Sequence, residues 1–221
     1  MKITIDGPAG SGKSTVSRFI SKRLNIPYLE TGSVYRAFAF ILKDRRREIK
    51  GEEAVKVLEE KPLEVVMEIG DMKIMYEGRD IKKDLVCEEI GKTASIIASY
   101  PPFKESINKF FRDIVKGQAV IEGRDAGLYI FPEADIKFFL TATPEERARR
   151  RYKQLLNEGK EADYEEILKS IKDRDERDAK RERYPFRPAD DALIVDTTGK
   201  RVEEVITLLI KEIISRSKKG V

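Results

Sequence analysis

The sequence predicts a three-layer α/β fold: a five-stranded parallel sheet between helices, with a small antiparallel β insert and a helical lid. Three observations predict it. A phosphate-loop pattern, GPAGSGKS at residues 7–14, directly follows a short apolar strand. Short apolar segments then alternate with amphipathic helical segments along most of the 221 residues. Around residues 62–84 this alternation gives way to closely spaced strands, and residues 149–183 are helical and highly charged.

The first part of the chain contains two strands, each followed by a helix, and then a third helix. The predicted ranges are Lys2–Asp6, Lys13–Leu24, Pro27–Leu29, Val34–Leu42 and Glu52–Glu60. In the first of these helices Val16, Phe19, Ile20 and Leu24 fall on one stripe, which predicts the buried face.

The next segment reads as consecutive antiparallel strands. Leu63–Ile69 and Lys73–Tyr76 flank Gly70 and Asp71, a typical turn pair, and Asp80–Ile81 continues the pattern. Because parallel strands need a longer crossover between them, this spacing predicts a separate antiparallel insert over residues 62–84.

Alternation of helices and strands resumes after the insert. The predicted helices Cys87–Ser99 and Phe103–Val115 are separated by two prolines. Apolar strands follow at Ala119–Ile121 and Ile136–Leu140.

The last third of the chain opens with a helix start at Thr143, with Pro144 next and Glu146 positioned to complete a capping box. A charged helical pair then runs to about residue 182, interrupted near Asn157–Gly159. The strand Ala192–Val195 and the helix Val202–Ile214 complete the chain. We therefore expect one domain, with a core of residues 1–61, 85–148 and 184–221, an insert of 62–84 and a lid of 149–183.

Composition excludes several classes of function. The chain has 44 basic and 40 acidic residues, a net charge of +4, which is too balanced for a typical nucleic-acid binder. No apolar run approaches the roughly 18–20 residues that cross a bilayer, and the N-terminus lacks a signal-peptide core, so we expect a cytoplasmic protein.

There is no histidine, so no imidazole can act as base or metal ligand. Cys87 is alone and cannot form an internal disulfide, and no unmatched apolar stripe indicates a partner, so we expect a monomer.

The phosphate loop indicates a fold of the P-loop NTPase type, with ATP as the first ligand. Its glycines let backbone N–H groups converge on phosphate oxygens, Lys13 neutralises the terminal phosphates, and Ser14 can bind Mg²⁺. The predicted ATP-binding residues are Gly7, Pro8, Ala9, Gly10, Ser11, Gly12, Lys13, Ser14 and Thr15. Arg147, Arg149, Arg150 and Arg151 lie early in the lid helices, and we expect Arg150 to reach ATP.

Other classes of P-loop protein fit less well. The nearest match to a guanine-recognition motif, at Asn108–Phe111, lacks the aspartate. A DxxG match at Asp196–Gly199 follows the last strand, too late for a GTPase switch. Glu122 and Asp196 are the only acids that end apolar strands, so the chain lacks the usual metal-binding strand of a motor ATPase.

A second anion site is predicted beside the phosphate loop. Arg36 follows the second strand and Arg124 ends the third, and both strand ends lie at the edge of the sheet that carries the phosphate loop. Two such arginines can clamp the phosphate of an acceptor. Asp125 could then accept hydrogen bonds from the acceptor's sugar or base, and the exocyclic amino group of cytosine is a natural donor. The alternative is an Arg–Asp ion pair that merely holds a loop.

The charged segment 171–181 supplies further cations. In a continuous helix Arg174, Arg177, Asp178 and Arg181 would share one face. We expect Arg174, Asp178 and Arg181 to form part of a mobile lid that brings positive charge to the transferred phosphoryl group.

With these motifs in order, the whole chain resembles the bacterial cytidylate kinases. The resemblance is carried by IDGPAGSGKST, TGSVYR, the insert, EGRDAGLYIFPEAD, and the charged KDRDERD and PADDAL segments. It implies ATP-dependent phosphorylation of CMP and dCMP with Mg²⁺. It also implies that Thr31, Arg36, Arg124 and Arg181 bind the acceptor phosphate, Ser95 and Asp125 the base, and Arg174 and Asp178 the sugar.

Two positions depart from the pattern that the family leads us to expect. Lys104 stands where we expect an arginine facing the base, and we assign Lys104 to the CMP site. Since lysine lacks the planar fork of arginine, we expect cytosine selectivity either to be weaker or to rest more on Asp125 and Ser95. Glu122 stands where we expect an aspartate, and we expect it to reach Mg²⁺ through water. Lys13, Arg124, Arg174 and Arg181 are then the predicted catalytic residues. A kinase of UMP or shikimate, or a regulatory P-loop ATPase without an acceptor, remains as an alternative.

Overall fold

The central sheet has five strands. The structure, a computed structural model, describes residues 1–219, with side chains up to residue 216. The sheet strands are β1 (Lys2–Asp6), β2 (Tyr28–Glu30), β6 (Ala119–Glu122), β7 (Ile136–Thr141) and β8 (Leu193–Asp196). They lie in the order β2-β6-β1-β7-β8, and every neighbouring pair is parallel. The predicted fold class is therefore confirmed.

Helices cover both faces of the sheet. They are α1 (Lys13–Leu24), α2 (Thr31–Asp44), α3 (Gly51–Glu59), α4 (Glu88–Ile97), α5 (Pro101–Ile114), α6 (Pro144–Asn157), α7 (Tyr164–Ala179) and α8 (Val202–Lys219). One apolar cluster joins α2–α5 to the sheet and is rich in aromatic side chains such as Phe38, Phe103 and Phe111. The second cluster joins α1 and α8 to the opposite face, through residues such as Ile20 and Leu209. These two clusters hold the strand ends, and the side chains they carry, in fixed positions.

The predicted insert is a three-stranded antiparallel sheet of β3 (Leu63–Glu68), β4 (Asp71–Tyr76) and β5 (Arg79–Asp80). It packs against the β2 edge of the main sheet, where the Gly70 N–H donates to Ser21 Oγ at 2.8 Å. Met72, Ile74 and Tyr76 of β4 belong to the core beside α2. The insert therefore shares the core of the protein, which its alternating apolar residues allow.

Several element boundaries differ from the sequence prediction. The two prolines open α5, where proline needs no N–H partner, so the break lies just before them. Helix α2 begins at Thr31, three residues earlier than predicted. The prediction for Phe19 was wrong, because its side chain is exposed while Val16 and Ile20 are buried.

Helices α6 and α7 confirm one local prediction and contradict another. The Thr143 hydroxyl accepts the N–H of Glu146 at 3.3 Å, as expected of an N-cap. Helix α7 ends at Ala179, so Arg181 follows the helix and does not continue its face. Arg177 turns outward and donates to the Asp173 carbonyl. No helix in the described part of the chain is both long and apolar enough to cross a bilayer.

Candidate active site

The phosphate loop joins β1 to α1 with its glycines in conformations that other residues rarely adopt. Gly7 has a φ of +143°, and a Cβ there would lie 2.0 Å from the Leu140 carbonyl oxygen. Gly12 has a φ of +91° and immediately precedes α1. The Lys13 ammonium donates to the Pro8 carbonyl at 2.7 Å, across the loop. Burial lowers the pKa of Lys13 to about 8, and Arg124 and Arg174 contribute to the shift in the same direction.

Ser14 and Glu122 lie together beside the loop. Ser14 Oγ donates to Glu122 Oε1 at 2.6 Å, and the Tyr28 hydroxyl donates to the other carboxylate oxygen. Burial raises the pKa of Glu122, and the positive charge of Lys13 opposes that rise. A hydroxyl and a carboxylate are the oxygen donors that Mg²⁺ prefers, and the exposed Ser14 can offer its oxygen while still donating to Glu122. These residues therefore fit the Mg²⁺ that the phosphate loop implies.

Asp6 is a buried acid that the sequence reading did not assign to the site. Its two carboxylate oxygens accept the N–H groups of Ala126 and Gly127, at 2.9 and 2.7 Å. Burial raises the pKa of Asp6 to about 7 despite these two bonds. Asp6 thus ties the strand before the phosphate loop to the segment that carries Arg124. An acid directly between an apolar strand and Gly7 was the signal available in the sequence.

Three arginines surround the carboxylate of Asp178. Arg181 Nη2 lies 2.6 Å from Oδ1, Arg124 Nη2 lies 2.5 Å from Oδ2, and Arg174 Nε lies 3.8 Å from the same oxygen. The Asp178 side chain is only 3% exposed. The guanidinium of Arg124 also lies over the ring of Phe186, 4.6 Å from its centroid. Arg174, Asp178 and Arg181, which the sequence predicts on one face of a helix, therefore lie together. Arg181 joins them although it follows the end of α7.

This arginine cluster carries more positive charge than Asp178 can neutralise. Arg124 Nε and Nη2 and Arg174 Nε are buried and make no hydrogen bond within the described residues, although Arg124 Nη2 lies in ion-pair contact with Asp178. Burial lowers the pKa of Arg174 to about 10, and the charges of Arg124, Arg36 and Arg181 lower it further. Buried donors without acceptors are costly, so the cluster is complementary to an anion.

Asp125 has a different partner from the one considered in the sequence. Both of its carboxylate oxygens lie within 2.9 Å of the Lys104 ammonium, and both side chains are buried. Lys104 also lies over the ring of Tyr35, 5.4 Å from the centroid. Burial acts to lower the pKa of Lys104, but Tyr35 and Asp125 raise it overall. Lys104 and Asp125 thus form a buried ion pair beside the arginine cluster.

The remaining predicted acceptor residues lie on α2 and α4. Thr31 Oγ1 donates to the Glu122 carbonyl at 2.9 Å, at the start of α2. Arg36, one turn later, faces Gly91 of α4. Ser95 follows Gly91 by four residues and is half-buried on the same helix.

Arg150 lies over the phosphate loop from α6. It donates to the Thr197 carbonyl at 2.6 Å and to the Gly10 carbonyl at 3.4 Å. Thr197 Oγ1 in turn donates to the Ser11 carbonyl. Arg149 and Arg151 are exposed. Arg150 therefore joins the loop after β8 to the phosphate loop in this structure.

A phosphate loop beside a buried cluster of three arginines around one aspartate is typical of the class of small P-loop kinases. The family model described as cytidylate kinase matches residues 3–215, and the chain belongs to the cytidylate kinase family. A cytidylate kinase of Aquifex aeolicus (strain VF5) is 51% identical over 219 residues, which cover 98% of this chain and 97% of the relative. A cytidylate kinase of Carboxydothermus hydrogenoformans is 40% identical over 218 residues, 98% of each chain.

A solved structure supports the fold alone. An uncharacterized protein from Eubacterium ventriosum ATCC 27560 matches with a TM-score of 0.55 and 16% identity, over 97% of this chain and 99% of that chain. The predicted family resemblance is confirmed, and the protein is a kinase.

Proposed function

We propose that this protein transfers the γ-phosphoryl group of ATP to CMP or dCMP, yielding ADP and CDP or dCDP. The observation that carries the proposal is the set of buried guanidinium N–H groups of Arg124 and Arg174 that make no hydrogen bond among the described residues. Both guanidiniums lie close enough to the phosphate loop for their charges to lower the pKa of Lys13. Two anion sites that share one cleft suit a reaction between two phosphates. The names of the relatives support cytidylate as the acceptor.

In this proposal the acceptor lies across the arginine cluster. Thr31, Arg36, Arg124 and Arg181 bind its phosphate, and the phosphate takes over part of the role that Asp178 has in the free protein. Arg174 and Asp178 bind the sugar. Ser95, Asp125 and Lys104 face the base. Because Lys104 occupies both carboxylate oxygens of Asp125, the base competes with or binds alongside that ion pair.

Catalysis then consists of alignment and charge neutralisation. The attacking phosphate oxygen of CMP is already ionised at neutral pH, so no general base is needed, which is compatible with a chain without histidine. Lys13, Arg124, Arg174 and Arg181 stabilise the charge that spreads over the transferred group. Mg²⁺, held by Ser14 and through water by Glu122, would neutralise the phosphates of ATP.

An acceptor panel tests the function. The purified protein is incubated with Mg-ATP and either CMP, dCMP, UMP or shikimate, and ADP release and the phosphorylated product are measured. We expect CMP and dCMP to give fast, acceptor-dependent ADP release, and Lys13→Met to give none. Faster turnover of UMP or shikimate would replace the proposed substrate. ADP release that no acceptor stimulates would favour a regulatory ATPase.

We also propose that residues 149–183 act as a lid over one domain and that the protein works as a monomer with no nucleic-acid partner. The two lid helices α6 and α7 carry Arg150 and Arg174 over the two anion sites, which supports this division of the chain. Light scattering with size-exclusion chromatography tests the monomer, and a mass of about twice 25.4 kDa would refute it.

A further inference from the structure

Arg147 is a buried cation directly behind the phosphate loop. It lies in the first turns of α6 and is only 3% exposed. Its backbone and Cβ pack against Gly10, where an added Cβ would approach the Arg147 Cβ to 3.0 Å. Arg147 is thus in contact with the backbone that would bind the phosphates of ATP.

The guanidinium of Arg147 joins three separate parts of the protein. Nε donates to the Ala142 carbonyl after β7 at 2.9 Å, and Nη1 donates to the Ala9 carbonyl of the phosphate loop at 3.4 Å. Nη2 donates to Asp175 Oδ2 of α7 at 2.5 Å. A buried arginine needs a charged partner, and Asp175 supplies it from the second lid helix.

Asp175 stands between the two α7 residues of the arginine cluster. It follows Arg174 by one residue and precedes Asp178 by three. Its negative charge also acts on Arg124, whose pKa it raises against the lowering effect of burial. A displacement of α7 that separated Asp175 from Arg147 would therefore also move Arg174 and Asp178 away from the cleft.

We propose that the Arg147–Asp175 pair is a positioning device that transmits the state of the phosphate loop to α7 and so to the acceptor site. Occupancy of the phosphate loop stiffens the backbone at Ala9 and Gly10, and Arg147 passes this restraint to Asp175. The helix then holds Arg174 and Asp178 in place for the second nucleotide. The expected effect on phosphorylation of the acceptor rests on the proposed function. The link from the phosphate loop through Arg147 and Asp175 to α7 does not.

A second ion pair between the same two helices provides a matched control. Lys172 Nζ lies 3.0 Å from Glu145 Oε1, and both side chains are about half exposed. This pair also joins α6 to α7 but does not contact the phosphate loop. Glu145→Gln therefore removes one interhelical ion pair and leaves the Arg147 hydrogen bonds to Ala142, Ala9 and Asp175 in place.

Hydrogen exchange with and without ADP tests the link without any acceptor. In the wild-type protein and in Glu145→Gln, we expect ADP to slow amide exchange in α7 by about 5–50-fold, within the usual range of coupling between sites. In Asp175→Asn this slowing should fall below about twofold, while ADP still protects the phosphate loop. Arg147→Lys, which keeps the charge but shortens its reach, should behave like Asp175→Asn and serves as the second test if Asp175→Asn unfolds.

Kinetics provide the second readout. We expect Asp175→Asn and Arg147→Lys to lower kcat with CMP by about 10–100-fold, with a smaller change in the KM for ATP, as expected when an alignment of reactants is lost. Equal protection of α7 by ADP in Asp175→Asn and in the wild-type protein would overturn the proposal, as would an equal loss in Glu145→Gln. If the wild-type protein does not phosphorylate CMP, the proposed function fails, and the exchange data still decide the link.

Discussion

Replacing Arg124 by alanine tests the acceptor site most directly. Arg124 comes from the end of β6, contacts Asp178 and Phe186, and has two buried N–H groups, Nε and Nη2, that make no hydrogen bond among the described residues. In the proposed complex these two donors bind the acceptor phosphate. The substitution removes both donors, and it leaves Arg174 and Arg181 to neutralise Asp178.

The magnitude follows from the number of donors. A hydrogen bond to a charged group contributes about 1.5–3 kcal/mol, so the loss of two costs about 3–6 kcal/mol of transition-state stabilisation. At about 1.4 kcal/mol per tenfold change, this lowers kcat/KM for CMP by about 10²–10⁴-fold. Arg124→Lys keeps the charge but offers no planar fork, and we expect it to recover part of the loss.

The assay measures initial rates of CDP formation over ranges of CMP and ATP. Arg183→Ala serves as the control, because Arg183 follows Arg181 by two residues and its side chain is 70% exposed. Its Nη1 lies 3.7 Å from Oε1 of Glu105, which is also exposed. We expect that variant to stay within about twofold of the wild-type rate. Circular dichroism confirms that each variant folds. An Arg124→Ala protein with kcat/KM for CMP within threefold of wild type would refute the assignment of the acceptor site.

Three further predictions concern buried groups of the same region. Lys104→Met leaves the Asp125 carboxylate buried and unpaired, so we expect the free energy of unfolding in urea to fall by about 3–5 kcal/mol, and Asp125→Asn in the same chain to restore most of it. Asp6 has a pKa of about 7 in the folded protein, above its ordinary 3.8. Folding therefore favours the protonated form of Asp6. This contribution to the free energy of unfolding is fully present below pH 3.8, where Asp6 is protonated in both states, and it is lost as the pH rises through 7. Asp6→Asn should therefore make the slope of unfolding free energy against pH in this window less negative, by up to about 1.4 kcal/mol per pH unit. Gly7→Ala places a Cβ against a β7 carbonyl at a positive φ, and we expect it to lower the free energy of unfolding by about 2–4 kcal/mol in the same assay.

Each of these predictions has a clear contrary outcome. Asp6→Asn with an unchanged pH slope would mean that the pKa of Asp6 in the folded protein is not raised above its ordinary 3.8. A Lys104→Met protein as stable as the wild type would show that Asp125 finds another partner or a proton at little cost. An unaffected Gly7→Ala protein would show that the loop after β1 can shift away from β7.

Much of the site was predictable because it depends on local sequence. The glycines at positions 7, 10 and 12 adopt positive φ angles that follow from their residue type, so the pattern itself predicts the loop. Arg124 and Asp125 follow an apolar strand, and the carboxyl ends of parallel strands meet at one edge of the sheet. In the structure β6 lies beside β1, and the charge of Arg124 lowers the pKa of Lys13.

The partners of the charged groups were not predictable in the same way. Arg181 was predicted on the face of a continuous helix, but α7 ends two residues earlier and the chain still returns Arg181 to Asp178. Lys104 was predicted to face a base, and its contact in the structure is Asp125, 21 residues away in sequence. The contacts of Asp6 and Arg147 were also not predictable. Asp6 joins β1 to the N–H groups of Ala126 and Gly127, and Arg147 joins the phosphate loop to Asp175 of α7.

The sequence by itself determined the class of fold, the phosphate loop and the choice of Arg124, Arg174 and Arg181, which the structure brings together around Asp178, because these depend on residue type and short spacing. Only the tertiary structure decided which of the 44 basic side chains meets which of the 40 acidic ones. Ion pairs between residues far apart in sequence have no sequence signature. The pair of Arg147 and Asp175 forms because α6 and α7 pack together and bury the Arg147 guanidinium behind the phosphate loop, where charge attraction is strong.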